Sequence, residues 1–133
     1  MANAIYPKYK EAILQSAANS NMSSGTVKVA LVDTGTYTYS SAHEFYSSVT
    51  GVVGTPQTLA SKTFTNGVFD AADITYTAVT GNSAEALIIY IDTGTAGTSR
   101  LIAFIDTGVT NLPVTPNGGD ITVTWNASGI FAL

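Results

Sequence analysis

Three copies of Asp-Thr-Gly, each closing a run of apolar residues, are the residues best placed to do chemistry. They are Val29-Ala30-Leu31-Val32-Asp33-Thr34-Gly35, Ile88-Ile89-Tyr90-Ile91-Asp92-Thr93-Gly94 and Leu101-Ile102-Ala103-Phe104-Ile105-Asp106-Thr107-Gly108. An apolar strand ending in this triplet can present a carboxylate on a loop. Two such carboxylates face to face share one proton, because like charges that close cannot both ionise, and such a pair can hydrolyse a peptide bond. The same residues have a simpler use. Asp accepts a backbone hydrogen bond just after a strand, Thr suits the strand end, and Gly takes positive φ. In aspartic proteases Ser or Ala usually follows the triplet; here Thr36, Thr95 and Val109 follow, and a third copy exceeds what a pseudo-dimer needs. The pattern favours a turn used three times.

Other constellations are weaker. Asp33, Asp70, Asp73, Asp92, Asp106 and Asp120 could give a calcium ion oxygen ligands if their loops converged, but no spacing follows an EF-hand. His43 and Glu44, with Tyr46 nearby, contain acid–base groups. As a lone pair on a short segment they read as surface or capping residues. No serine stands in a nucleophile elbow, and Asn117-Gly118-Gly119-Asp120 reads as a tight turn rather than a phosphate loop. Tyr37, Tyr39 and Tyr46 could form a sugar-binding row, although such aromatics also pack the rim of a β core.

Composition narrows the field. A length of 133 residues suits one domain. Charged residues are 11% of the chain, against roughly 25% in an average soluble domain, and Thr, Ser and Gly take their place. A surface so short of charge solvates itself with hydroxyls or hides against partners. Net charge is −4, and Lys8, Lys10, Lys28, Lys62 and Arg100 are too scattered to track phosphates, so no nucleic-acid partner is expected. No cysteine is present, which removes disulfides and zinc–sulfur sites and leaves the redox compartment open. With His43 the only histidine, a multi-histidine metal site within one chain is excluded. Residues 1–18 lack the apolar core of a signal peptide, and no stretch suits a membrane span. Synthesis and folding in a cytoplasm are expected.

The elements that must carry these residues are mostly strands. Residues 7–18 are helical in pattern, with Pro7 in the first turn and Tyr9, Ile13, Leu14 and Ala17 on one face. Strands are predicted at 26–32, 57–65, 74–78, 86–91, 101–105, 121–125 and 130–133, with a short helix at 40–49 and turns at 50–56 and 66–67. Segments 74–78 and 121–125 alternate apolar with threonine, as half-buried strands do. Segments 86–91 and 101–105 are apolar on both faces and read as a hairpin. One face would hold Leu87, Ile89, Ile91, Leu101, Ala103 and Ile105; the other, Ile88, Tyr90, Ile102 and Phe104. Both faces need cover, from the helix or from another molecule. The expected interface residues are therefore Ile88, Tyr90, Ile102 and Phe104, with Ile5, Tyr6 and Tyr9 of the N-terminal arm and helix.

Several segments resemble small virion proteins of tailed bacteriophages. They are Ala4-Ile5-Tyr6-Pro7-Lys8-Tyr9-Lys10-Glu11, Val27-Lys28-Val29-Ala30-Leu31-Val32-Asp33-Thr34, Ala42-His43-Glu44-Phe45-Tyr46 and Gly51-Val52-Val53-Gly54-Thr55. The most specific is Leu112-Pro113-Val114-Thr115-Pro116-Asn117-Gly118-Gly119-Asp120-Ile121-Thr122-Val123-Thr124-Trp125. The chain is similar to capsid cement, or decoration, proteins with a jelly-roll fold. The resemblance implies a protein that is not an enzyme, sits outside the head shell and ties neighbouring capsomers together. It also implies the phage major capsid protein as partner, and it transfers no binding residues.

The expectations are then an all-β antiparallel sandwich of jelly-roll type, with one N-terminal amphipathic helix. Residues 1–25 would form the arm and helix and residues 26–133 the body of a single domain. The expected role is structural, in a virion, as a homo-oligomer without catalytic residues, metal or cofactor. The alternative is a receptor- or glycan-binding module of a phage tail or fibre.

Overall fold

Residues 87–91 and 101–105 are apolar at every position, so a strand made from either must be covered on both sides. The computed structural model, which describes residues 3–133, places both inside one antiparallel sheet. Its strands in chain order are β1 (Ala4–Ile5), β2 (Thr26–Val32), β3 (Val52–Thr58), β6 (Ala86–Asp92) and β7 (Leu101–Ile105). In space the order is β1-β7-β6-β2-β3. The hairpin forms as expected, with Leu87 opposite Ile105 and Ile88 opposite Phe104. A bulge beyond Ile89 then sets Leu101 opposite Tyr90, which moves Leu101 off the face that simple alternation gave it.

The remaining strands form two ribbons, β4 (Val68–Phe69) with β9 (Phe131–Ala132) and β5 (Ile74–Tyr76) with β8 (Ile121–Val123). Alternation in β5 and β8 sends Ile74, Tyr76, Ile121 and Val123 inward and threonines outward. The Tyr76 hydroxyl donates to the Val29 carbonyl at 2.8 Å and so fixes that ribbon against the large sheet. This is an all-β antiparallel sandwich with one short helix. The second layer is two separate ribbons rather than one continuous sheet.

Helix α1 (Pro7–Leu14) opens with proline, whose fixed φ suits a first turn. It stops short of residue 18 because Ser16 and Asn19 take left-handed φ of 52° and 61°. Tyr9 and Ala12 turn inward, while Leu14, expected on the apolar face, is 86% exposed. Two further expectations are corrected. Residues 52–58 form β3 although Gly54 and Pro56 read as turn residues. They sit where β2 and β3 slip register between Val29 and Leu31, and an edge strand tolerates both residues at such a bulge. Residues 40–49 form no α-helix; they hold a 3-10 turn at Tyr46–Ser48 and a bridge from Phe45 to Arg100.

The chain exposes 6370 Å², close to the roughly 6,600 Å² expected of a monomer of its mass.

Candidate functional site

The three Asp-Thr-Gly triplets come first, since they carry the sharpest chemical hypothesis. Asp33 Oδ1 accepts the Gly35 amide at 2.8 Å, and Oδ2 accepts the Asn82 side-chain amide at 3.1 Å and the Thr36 hydroxyl at 3.2 Å. The Gly35 N–H above all, with these side chains, holds the Asp33 carboxyl below the usual carboxylate range. Asp92 is built alike. Its carboxylate pairs with Lys28 at 2.9 Å and accepts the Gly94 amide at 3.0 Å, and the lysine leads in lowering its pKa. The third triplet is held differently: Asn3 Oδ1 accepts the amides of Asp106 and Thr107 at 2.8 and 3.0 Å. Gly94 and Gly108 take positive φ, of 86° and 75°, whereas Gly35 does not.

These are strand-end turns, and their placement keeps the aspartates apart. Strands β2 and β7 both run antiparallel to β6, so Asp33 and Asp106 leave the same end of the sheet with β6 between them. Two strand spacings, roughly 9–10 Å, separate the two exits. Asp92 ends β6 at the opposite end. No two triplets within the chain lie across a single strand spacing at one end of the sheet, as a proton-sharing pair would need. Among the described residues, no group of three or more His, Asp or Glu residues is disposed to hold a metal ion, so the six aspartates do not converge.

His43 and Glu44 do not act together. Glu44 pairs with Arg100 at 3.2 Å, and Arg100 also donates to the Ala18 carbonyl and lies over the Phe45 ring. His43 Nδ1 instead meets the Tyr37 hydroxyl at 2.8 Å, which meets the Tyr6 hydroxyl at 2.8 Å. Burial, then the hydrogen bond to Tyr37, holds the Tyr6 phenol protonated far above its ordinary range.

Six of the seven expected interface residues are buried within the chain itself. Tyr6, Tyr9, Ile88, Tyr90, Ile102 and Phe104 are each no more than 4% exposed within the single chain, and only Ile5 is half-buried. The cover over Phe104 and Tyr90 is the loop of residues 33–49, which the sequence did not mark for that role. Tyr39 and Tyr37 pack on Phe104 with ring centroids 5.6 and 6.3 Å away, and Tyr46 stacks on Tyr90 at 4.1 Å. These contacts pack Tyr37, Tyr39 and Tyr46 against the core; Tyr37 is buried, and Tyr39 and Tyr46 stay half-buried. The opposite face lies under α1 and the ribbons: Ile13 and Ala17 border a groove with Ile91, and Lys10, Ile130 and Phe131 lie beside Ala103 and Ile105.

Apolar surface is instead left in solvent on the flank where α1 meets the β4–β9 ribbon. A groove of about 440 Å³ there is lined by Tyr9, Ile13, Met22, Phe64, Phe131 and Leu133, with Ser20, Asn21 and Ser23 on its rim. Phe64 stacks on buried Phe69 at 5.5 Å yet stays 39% exposed, and Leu133 is 64% exposed. Sequence reasoning missed this flank. Its one local signal is Phe64, an aromatic two residues before the Asn66-Gly67 turn.

No protein-family model matches this chain, and no curated protein matches it. Among the described residues no helix is long and apolar enough to cross a membrane.

Proposed function

We propose that this chain is a structural virion protein: a cement, or decoration, protein on the outer head shell of a tailed bacteriophage. In this reading it binds the major capsid protein, strengthens contacts between shell subunits and assembles with copies of itself. The observation that carries the reading is the apolar groove that Phe64 and Leu133 line, where the β body leaves large apolar side chains in water. Exposed apolar residues gathered around a groove mark an interaction surface more often than a catalytic one. Support also comes from the sequence resemblance, above all that of residues 112–125, and from a surface poor in charge. The mechanism is added contact area. Each copy bridges neighbouring subunits weakly, and many copies together resist separation of the shell.

The test uses heads purified without this chain. Added protein should co-sediment with them and saturate at a fixed ratio to the shell protein. A variant carrying Leu133→Asp should keep its fold, since that side chain is 64% exposed, and bind at least about tenfold more weakly, because burying an unpaired carboxylate is costly. Absence of co-sedimentation by the unaltered chain would remove the cement reading. Undiminished binding by the variant would move the contact away from this flank.

A further inference from the structure

We infer that the Tyr6–Tyr37–His43 chain is a proton-operated latch that holds the N-terminal segment to the sheet. Two short contacts, both 2.8 Å, join three groups. When His43 presents a bare Nδ1, the two phenolic hydrogens fill the two contacts: Tyr6 donates to Tyr37, and Tyr37 donates to the imidazole. The latch therefore requires the neutral His43 to be the tautomer with its hydrogen on Nε2. Protonation puts a third hydrogen on Nδ1. Three hydrogens then compete for two contacts, and one hydroxyl hydrogen is left without an acceptor in a site where Tyr6 is 0% and Tyr37 2% exposed. His43 itself is only half-buried, so solvent protons can reach it.

Tyr6 is where the unmatched hydrogen matters. Its amide donates to the Ile102 carbonyl at 2.9 Å, which ends the pairing of β1 with β7. Its carbonyl accepts the amides of Tyr9 at 2.9 Å and Lys10 at 3.3 Å, which start α1. Losing the seat of Tyr6 therefore frees β1 and the start of α1 together. Met1 and Ala2 of the expected arm lie outside the described residues. The groups around the latch are few. Tyr39 lies 5.0 Å from the Tyr6 ring, Glu44 and Arg100 are paired with each other, and Glu85 and Asp106 line the groove that Tyr37 borders.

Amide hydrogen exchange across the window from pH 7.5 to 5.5, normalised to intrinsic rates, tests the latch. Asp33 and Asp92 do not confuse that window. Their folded pKa values are depressed, so their contribution to stability is present above the ordinary value of about 3.9 and is lost only as pH falls through the folded ones. The Tyr6 amide should exchange roughly tenfold faster or more at pH 5.5, while the Val29 and Ile89 amides at the sheet centre hold their protection. His43→Gln, which keeps an acceptor and does not titrate, should abolish the acceleration. Nitrogen-15 NMR of the unaltered chain at pH 7.5 should show the Nε2–H tautomer. A pH-independent Tyr6 amide, equal acceleration in His43→Gln, or an Nδ1–H tautomer would each overturn the latch.

Discussion

Replacing Phe104 with alanine should lower the unfolding free energy by about 3–5 kcal/mol, the usual cost of emptying an aromatic site in a core. Phe104 is 3% exposed, sits opposite Ile88 in the β6–β7 hairpin and Ala4 in β1, and carries the Tyr37 and Tyr39 rings. The loop of residues 33–49 cannot follow the lost volume, because Asp33 ties one end to Gly51 and the Phe45 bridge to Arg100 ties the other. A cavity therefore remains, and the loss is a large share of the roughly 5–15 kcal/mol that holds a typical domain folded. Urea denaturation of the dilute chain measures it. If Phe104 were a subunit contact, as the sequence alone suggested, the isolated variant would unfold at the midpoint of the unaltered chain and only assembly would suffer.

A second large loss, about 2–4 kcal/mol, is expected from Gly51→Ala, which combines left-handed strain with overpacking. Gly51 has φ of +67°, and a Cβ there would lie 2.8 Å from Thr36 Cβ and 3.1 Å from the Asp33 carbonyl oxygen. Its own carbonyl accepts the Asp33 amide at 2.9 Å, so the backbone cannot move aside without breaking the first Asp-Thr-Gly turn. Gly97→Ala is the control. Nothing lies within 4 Å of the added carbon, and its φ is not left-handed. Denaturation midpoints should separate the two variants clearly. Equal losses would mean that the turn is not packed as described.

What was legible in the sequence was what local chemistry decides. The β6–β7 hairpin followed from two fully apolar runs joined by nine residues, and β5 and β8 followed from strict alternation with threonine. The use of Asp33 and Asp92 as turn acceptors followed from side-chain reach, since an aspartate bonds the amide two residues on wherever a strand ends. Asp106 escaped that reading because Asn3, more than a hundred residues earlier, holds its turn.

The cover over Phe104 and Tyr90 was not legible. Tyr37 and Tyr39 reach Phe104 across more than sixty residues, and nothing in 33–49 signals that distance, so the sequence assigned the uncovered face to a partner. Gly54 and Pro56 misled for a related reason. Read locally they break strands, but at an edge they shape a bulge. The exposed flank is the converse case, because exposure at Phe64 and Leu133 is a property of what fails to pack there. It follows that the large apolar side chains left exposed are not those the strand pattern named.

If this chain is a head cement, as proposed, quantitative mass spectrometry of purified virions should find it at a stoichiometry near that of the major shell protein, as lattice binding requires. A few copies per particle would place the chain in a tail or fibre, and its absence from the particle would contradict the virion reading altogether.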